Sequence, residues 1–219
     1  RYEHFGDFSQ MFAVSLFYKN FQDPIEMTYF ESAPTNFTPK NLGSASISGI
    51  ELEIRKNLSF INNFFKDISL NINASFINSK LSFSESEYNL RQNMLRAGET
   101  LDNYRTLQGQ APFLVNTGLN YSNSDKGLQT GLFYNIQGKT LEIVGTGFLP
   151  DVYTMPFHSL NFNFNKEIGK NRRSSLNFKI NNILNDSLES KFESFSTESL
   201  NFSLRNPGRL FSFGYNYKF

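Results

Sequence analysis

The chain has no cysteine and no tryptophan, only two histidines, and no unbroken apolar run long enough for a membrane helix. The absence of cysteine excludes a disulfide framework, a thiolate metal site and a cysteine nucleophile. The two histidines, His4 and His158, lie far apart in sequence, so no pair stands at zinc-ligand spacing. A helical span needs about 18 consecutive apolar residues, whereas membrane strands alternate and never produce such a run, so only the helical class is excluded. An excess of one charge is missing as well. Lysine and arginine number 21 against 20 aspartates and glutamates, which leaves no basic field for nucleic acid and no acidic tail. The amino terminus, Arg1-Tyr2-Glu3-His4-Phe5, has no initiating methionine, basic leader or apolar signal core, and is expected to begin a fragment or a processed piece.

What is present is aromatic and small polar: 25 phenylalanines and 10 tyrosines among many asparagines and serines, the mixture that alternating strands use. Its sharpest expression is Arg209 to Phe219. Phe211, Phe213, Tyr215, Tyr217 and Phe219 share one face of an extended chain, and Leu210, Ser212, Gly214, Asn216 and Lys218 share the other. In water such a face needs a covering protein layer, whereas a bilayer covers it directly, and strands of outer-membrane barrels alternate in this way. The five aromatics also resemble the carboxy-terminal signal by which the outer-membrane assembly machinery recognises barrel clients. For this strand taken alone, the edge of a soluble sandwich is the alternative.

The same period of two recurs along the chain. Residues 10 to 19 set Phe12, Val14, Leu16 and Tyr18 against Ala13, Ser15, Phe17 and Lys19. Ile50, Leu52 and Ile54, with Leu58 and Phe60 in phase, oppose Glu51, Glu53 and Arg55. Further strands are expected over 68–76, 115–121, 128–136, 160–164 and 175–181, several with files of asparagine and serine on one face. Pro24, Pro34, Pro39 and Gly43 predict a long loop after Asn20, and Leu81 to Pro112 a longer one holding a short helix within Ser86–Leu101. Two more loops are expected up to Pro156 and over Leu184 to Pro207. Connections therefore alternate: tight at Gly6-Asp7, near Asn62, near Asp125 and near Lys170, and long after Asn20, Lys80, Leu141 and Leu184. A soluble meander has no reason to gather its long loops at one end, while membrane barrels have short periplasmic turns and long extracellular loops. The expected fold is all-β, an antiparallel up-and-down transmembrane β-barrel segment of about eight strands plus a partial one at Arg1–Phe5, forming one unit over residues 1–219.

Four runs carry a family resemblance: Ala13 through Glu26, Ser48-Gly49-Ile50-Glu51-Leu52-Glu53, Leu107 through Asn116, and Pro207-Gly208-Arg209 through Phe219. In this order and strand phase they resemble the carboxy-terminal barrel of TonB-dependent outer-membrane receptors. The resemblance implies a parent barrel of about 22 strands filled by an amino-terminal plug domain and energised through TonB. No plug is visible in this chain, so by itself it is not expected to transport. The implied partners are outer-membrane lipid, the barrel assembly machinery, the plug and TonB of the full-length parent, and an unidentified small ligand; no cofactor is implied.

Candidate chemistry is sparse. His158 and Ser159 are adjacent in a strand and point to opposite faces, which forbids a direct nucleophile and base pair; His158 is expected at a membrane interface. Glu51, Glu53 and Arg55 share a face and read as a mutually paired lumen wall or as substrate contacts. Gly145-Thr146-Gly147 lacks the strand-to-helix context of a phosphate loop and reads as a hinge. Glu85, Glu87, Tyr88, Arg91, Arg96 and Tyr104 fall in the longest loop, where a receptor touches its ligand, and are ligand-contact candidates beside the plainer reading of a solvated loop. Three function classes follow: the barrel portion of a receptor for active uptake of an iron chelate, cobalamin, peptide or glycan; a stand-alone eight-stranded barrel serving as adhesin or anchor; and a barrel enzyme such as a lipase, for which no serine, histidine and acid converge on one face.

Overall fold

The computed structural model describes residues 1–7, 10–30 and 32–219. Its strands in chain order are β1 (Tyr2–Phe5), β2 (Met11–Gln22), β3 (Ile25–Phe30), β4 (Ala33–Asn41), β5 (Ser44–Asn57), β6 (Ile68–Ser82), β7 (Tyr104–Arg105) and β8 (Phe113–Asn123). There follow β9 (Leu128–Gln137), β10 (Thr140–Ile143), β11 (Asp151–Thr154), β12 (Ser159–Ile168), β13 (Ser174–Asn181), β14 (Leu188–Glu193), β15 (Leu200–Arg205) and β16 (Leu210–Tyr217). One helix, α1 (Glu85–Asn93), lies between β6 and β7. The main sheet runs β1-β2-β5-β6-β8-β9-β12-β13-β16, antiparallel throughout, with β7 added beside β6. These are the eight expected strands and the partial first one. The tight Gly6-Asp7 turn lies partly outside the described residues.

Register lines the apolar phase into files across the sheet. Phe12, Ile54, Ile72, Thr117, Tyr134 and Leu160 form one, and Leu70, Leu119, Leu132, Phe162, Ile180 and Phe211 another. Leu16 is 75% exposed and Phe213 74%, so among the described residues nothing covers this face there. Such continuous apolar files are what lipid covers, and a slip of one residue in any strand would break them. The opposite face carries a file of Ala13, Glu53, Asn73, Asn116, Asn135 and Ser159. Phe17 and Phe133 stand on this polar face, and glycine makes room for each. A Cβ at Gly131 would lie 2.7 Å from Phe133 Cε2, one at Gly118 2.9 Å from its Cδ1, and one at Gly49 2.5 Å from Phe17 Cζ. Aromatic rings laid over strand glycines cover backbone that would otherwise pack against nothing.

Several sequence expectations are corrected. β5 stops at Asn57, and Leu58–Phe60 is a 3-10 turn rather than strand in apolar phase. The side chains of Asn57 and Asn62 accept from the backbone N–H of Ser59 and Phe64, which ends the extended run locally. The short helix expected within Ser86–Leu101 is present as Glu85–Asn93 and ends where the Met94 N–H turns back to the Arg91 and Gln92 carbonyls. The long connections are not irregular. β3 and β4 form a hairpin even though β4 contains Pro34 and Pro39, tolerated because that strand has a free edge. β10, β11, β14 and β15 form a separate four-stranded sheet whose strands come from two different connections. Buried apolar side chains gather here: Tyr29, Ile143 and Val152 pack with Leu149, Phe192 and Phe202, and the Phe202 ring sits edge-on to both Phe37 and Phe192. A single sheet with one exposed apolar face and one polar face buries little against itself, so the buried core sits where the connections fold together.

Candidate functional site

Four of these elements meet through a ladder of buried charges. Ser84 caps α1 by accepting from the Glu87 N–H at 3.2 Å, with Glu85 and Glu87 in the first turn and Arg91 in the last, each at the end favoured by the helix dipole. Glu87 Oε1 accepts from Arg91 Nε at 3.2 Å and from Arg105 Nε, on β7, at 3.1 Å. Arg105 then clamps Glu26 of β3 with both terminal nitrogens, at 3.0 and 2.5 Å. At the other end Arg91 clamps Asp151 of β11, at 3.0 and 3.2 Å. The Arg105 and Glu26 side chains are only 6% and 1% exposed. Burial alone would lower both guanidinium pKa values; bonds and charges from Glu26 and Glu87 overcome it at Arg105, as those from Asp151 and Glu87 do at Arg91, and both end raised. Fork-to-carboxylate pairing gives each link a fixed orientation as well as attraction.

Uncharged donors extend the ladder. Glu26 Oε1 accepts from the Gln108 N–H at 2.7 Å, and Asp151 Oδ1 from that of Gly145 at 2.7 Å. The Gln108 side chain accepts from the Met27 N–H at 2.6 Å and donates to the carbonyls of Met27 and Glu142 at 2.9 and 2.5 Å. Thr28 and Thr146 share a hydrogen bond of 2.9 Å. Residues separated by 60 to 118 positions in sequence are thereby tied into one body.

Against this body lies an open cavity of about 640 Å³. Leu90, Met94, Leu95, Phe148, Leu149 and Phe195 give it an apolar side. Its cations are Lys40, Arg91 and Arg96, and its acids Glu87, Glu99, Asp151 and Glu193. Arg91 and Asp151 neutralise each other, while Arg96 donates to the Phe195 carbonyl at 2.7 Å. Gly147, at φ +57°, turns the chain so that Phe148 stands 91% exposed at the rim. The arrangement suits binding by shape and apolar contact, with few uncompensated charges. Two tyrosines of this region are held neutral: burial, then Asp151 and Glu142, push the Tyr29 hydroxyl up to about 12, and burial with Asp151 and Glu193 raises Tyr153.

Of the sequence candidates, Glu87, Arg91 and Arg96 line the cavity, and Glu85, Tyr88 and Tyr104 do not. Glu85 is exposed at the start of α1, the Tyr88 N–H bonds to the Ser84 carbonyl, and the Tyr104 ring lies 4.4 Å below Lys80 Nζ. Glu26, Arg105 and Asp151 were invisible as a group because no sequence spacing connects them. Gly145-Thr146-Gly147 forms a turn that lines the cavity, closed by the Thr146 to Leu149 bridge. Glu53 and Arg55 pair at 2.7 Å on the polar face, with Glu51 beside them on that face. His158 Nδ1 and the Tyr134 hydroxyl share a bond of 2.7 Å, while the Ser159 Oγ accepts from Asn161, so neighbouring His158 and Ser159 form no pair. Phe211, Phe213, Tyr215 and Tyr217 lie on β16, each on the outward face, and Phe219 follows it fully exposed.

Solved structures superpose well: the ferric yersiniabactin uptake receptor FyuA from Yersinia pestis (TM-score 0.61, 14% identity, covering 96% of this chain and 28% of that one). The siderophore receptor PiuA from Acinetobacter baumannii gives 0.61 at 14% identity over 96% and 26%, and the FrpB iron transporter from Neisseria meningitidis 0.58 at 16% over 98% and 29%. At such identities the likeness is one of fold, and the chain spans less than a third of each of these proteins. No curated protein sequence matches the chain. The family described as TonB dependent receptor-like, beta-barrel, matches residues 1–183. With its antiparallel sheet, exposed apolar files and length of match, the chain belongs to the TonB-dependent receptor-like β-barrel family.

Proposed function

We propose that this chain is the carboxy-terminal barrel portion of a bacterial outer-membrane receptor that actively takes up a small nutrient, an iron chelate first among the classes considered. Cobalamin, a peptide or a glycan are the others. In this reading the long connections face outward, the short turns face the periplasm, and an amino-terminal plug and TonB act through the full-length parent. The polar face would meet the plug, the apolar files the outer-membrane lipid, and β16 with Phe219 the barrel assembly machinery. The observation that carries the reading is the cavity on the long-connection end, held by the buried ladder of Glu26, Arg105, Glu87, Arg91 and Asp151. The iron-related neighbours support the ligand class.

A stand-alone small barrel is disfavoured by topology: the sheet runs from β1 to β16, and among the described residues those two strands do not pair, so it does not close on itself. The test is uptake of labelled ferric chelates, cobalamin, peptides and glycans by cells expressing the full-length parent. Leu90→Asp and Phe148→Asp, at the cavity wall and rim, should lower uptake of the true ligand about tenfold, the loss of roughly 1.4 kcal/mol of binding, at unchanged outer-membrane levels. Uptake of every class unaffected by both changes would remove the cavity from the function.

A further inference from the structure

The end of the sheet opposite the cavity concentrates positive charge. Lys126 lies in the β8–β9 turn, Lys166 near the end of β12, Lys170, Arg172 and Arg173 in the β12–β13 turn, and Lys218 just after β16. Pairing brings these short segments together: the Glu167 N–H bonds to the Gly127 carbonyl and the Lys218 N–H to the Arg173 carbonyl, both at 2.8 Å. Few acids oppose them. Asp67 accepts from the Asn123 side chain, Asp125 offers its backbone carbonyl to Arg172 at 2.7 Å, and Glu167 lies 3.8 Å from Arg172. Among the described residues the side chains of Lys126, Lys170, Arg173 and Lys218 have no ion-pair or hydrogen-bond partner, and all four residues are exposed. Across the whole chain the charges nearly cancel, 21 against 20, so this rim is a local excess.

The excess sits where the apolar face ends. Lys166 occupies the outward file of Leu128, Leu176 and Tyr215, and its Nζ bends away to the Lys126 carbonyl at the turn. Tyr217 and Phe219 continue the outward face past that file. A long basic side chain that lies along apolar surface and lifts its charge to the rim places that charge at headgroup depth. Arginine and lysine there can hold phosphate oxygens while the acyl chains follow the apolar file above. A phosphate free in solution has no use for that adjoining apolar face.

We propose that this rim binds the headgroup phosphate of an anionic glycerophospholipid in the periplasmic leaflet. The inference rests on the barrel orientation and not on nutrient uptake, so its readout is lipid retention. The full-length parent, purified in neutral detergent, is mixed with equal dioleoylphosphatidylglycerol and dioleoylphosphatidylcholine and weighed intact by mass spectrometry. The expected result is preferential retention of the phosphatidylglycerol, reduced about tenfold or more in K126Q/K170Q/R173Q/K218Q. K126R/K170R/K218R should keep the preference, as should K191Q/R205Q in the connections at the other end, and millimolar inorganic phosphate should not displace the lipid. Equal retention of the two lipids by the unaltered protein, a preference that survives the quadruple change, or displacement by inorganic phosphate each overturns the proposal.

Discussion

At the residue scale the decisive group is Arg105. It stands between Glu26 and Glu87 with almost no access to water, and removing it leaves a carboxylate at 1% exposure without its partner. Breaking a buried pair from one side costs on the order of 3 to 5 kcal/mol, whereas replacing both partners by apolar groups is often neutral. Arg105→Ala should therefore loosen the outer connections, read as faster hydrogen exchange over residues 83–112 and 138–158, and Glu26→Leu with Arg105→Met should restore most of the protection. Tyr29 carries a second, smaller expectation. Its hydroxyl is buried with no hydrogen-bond partner among the described residues, so Tyr29→Phe should be neutral or stabilising. Because its pKa is raised to about 12 from an ordinary 10.0, the folded state prefers the neutral phenol. The associated stability is complete below pH 10 and is lost as pH rises toward 12. A pH series of hydrogen exchange or melting should show that loss in the unaltered protein and less of it in Tyr29→Phe.

At the scale of elements, β13 offers the cleanest test of strand phase, since Asn177 and Phe178 are adjacent and face opposite ways. Phe178→Arg near the bilayer midplane should cost about 2 to 4 kcal/mol on refolding into lipid, and Asn177→Arg much less; equal costs would reverse the assigned faces. Leu160 is a poorer probe than its sequence neighbours suggest, because it is the second residue of β12 and pairs with Tyr134 beside His158, at the strand end. For β16, packing alone makes Phe213→Ala, opposite Phe178, at least as harmful as Phe219→Ala. If the assembly machinery reads the terminal aromatics, Phe219→Ala should instead lower outer-membrane levels of the parent in cells more than Phe213→Ala, beyond any difference in their refolded stabilities.

At the scale of the whole molecule, the alternation of short and long connections makes two ends with different fates. Cysteines at Ser86 and Glu198 should react with an impermeant thiol reagent on intact cells, while cysteines at Asp125 and Asn171 should react only after lysis. All four positions are exposed, so accessibility in the protein itself does not separate the pairs. The two-residue period determined the sheet from sequence alone, because one face must match lipid and the other polar surroundings at every strand, and each residue's side follows from its parity. It also set the order of connections, and the runs around Ala13, Ser48, Leu107 and Pro207 carried the family resemblance. What only the tertiary structure decided is what the long connections do. β10 and β11 find β14 from another connection, Glu26 and Arg105 meet across 79 positions, and Arg91 reaches Asp151 across 60. Such contacts depend on the sheet first bringing four connections to one end. Local spacing has no record of that convergence, so Arg91 was visible as a charge in a loop and its role in holding that loop to Asp151 was not.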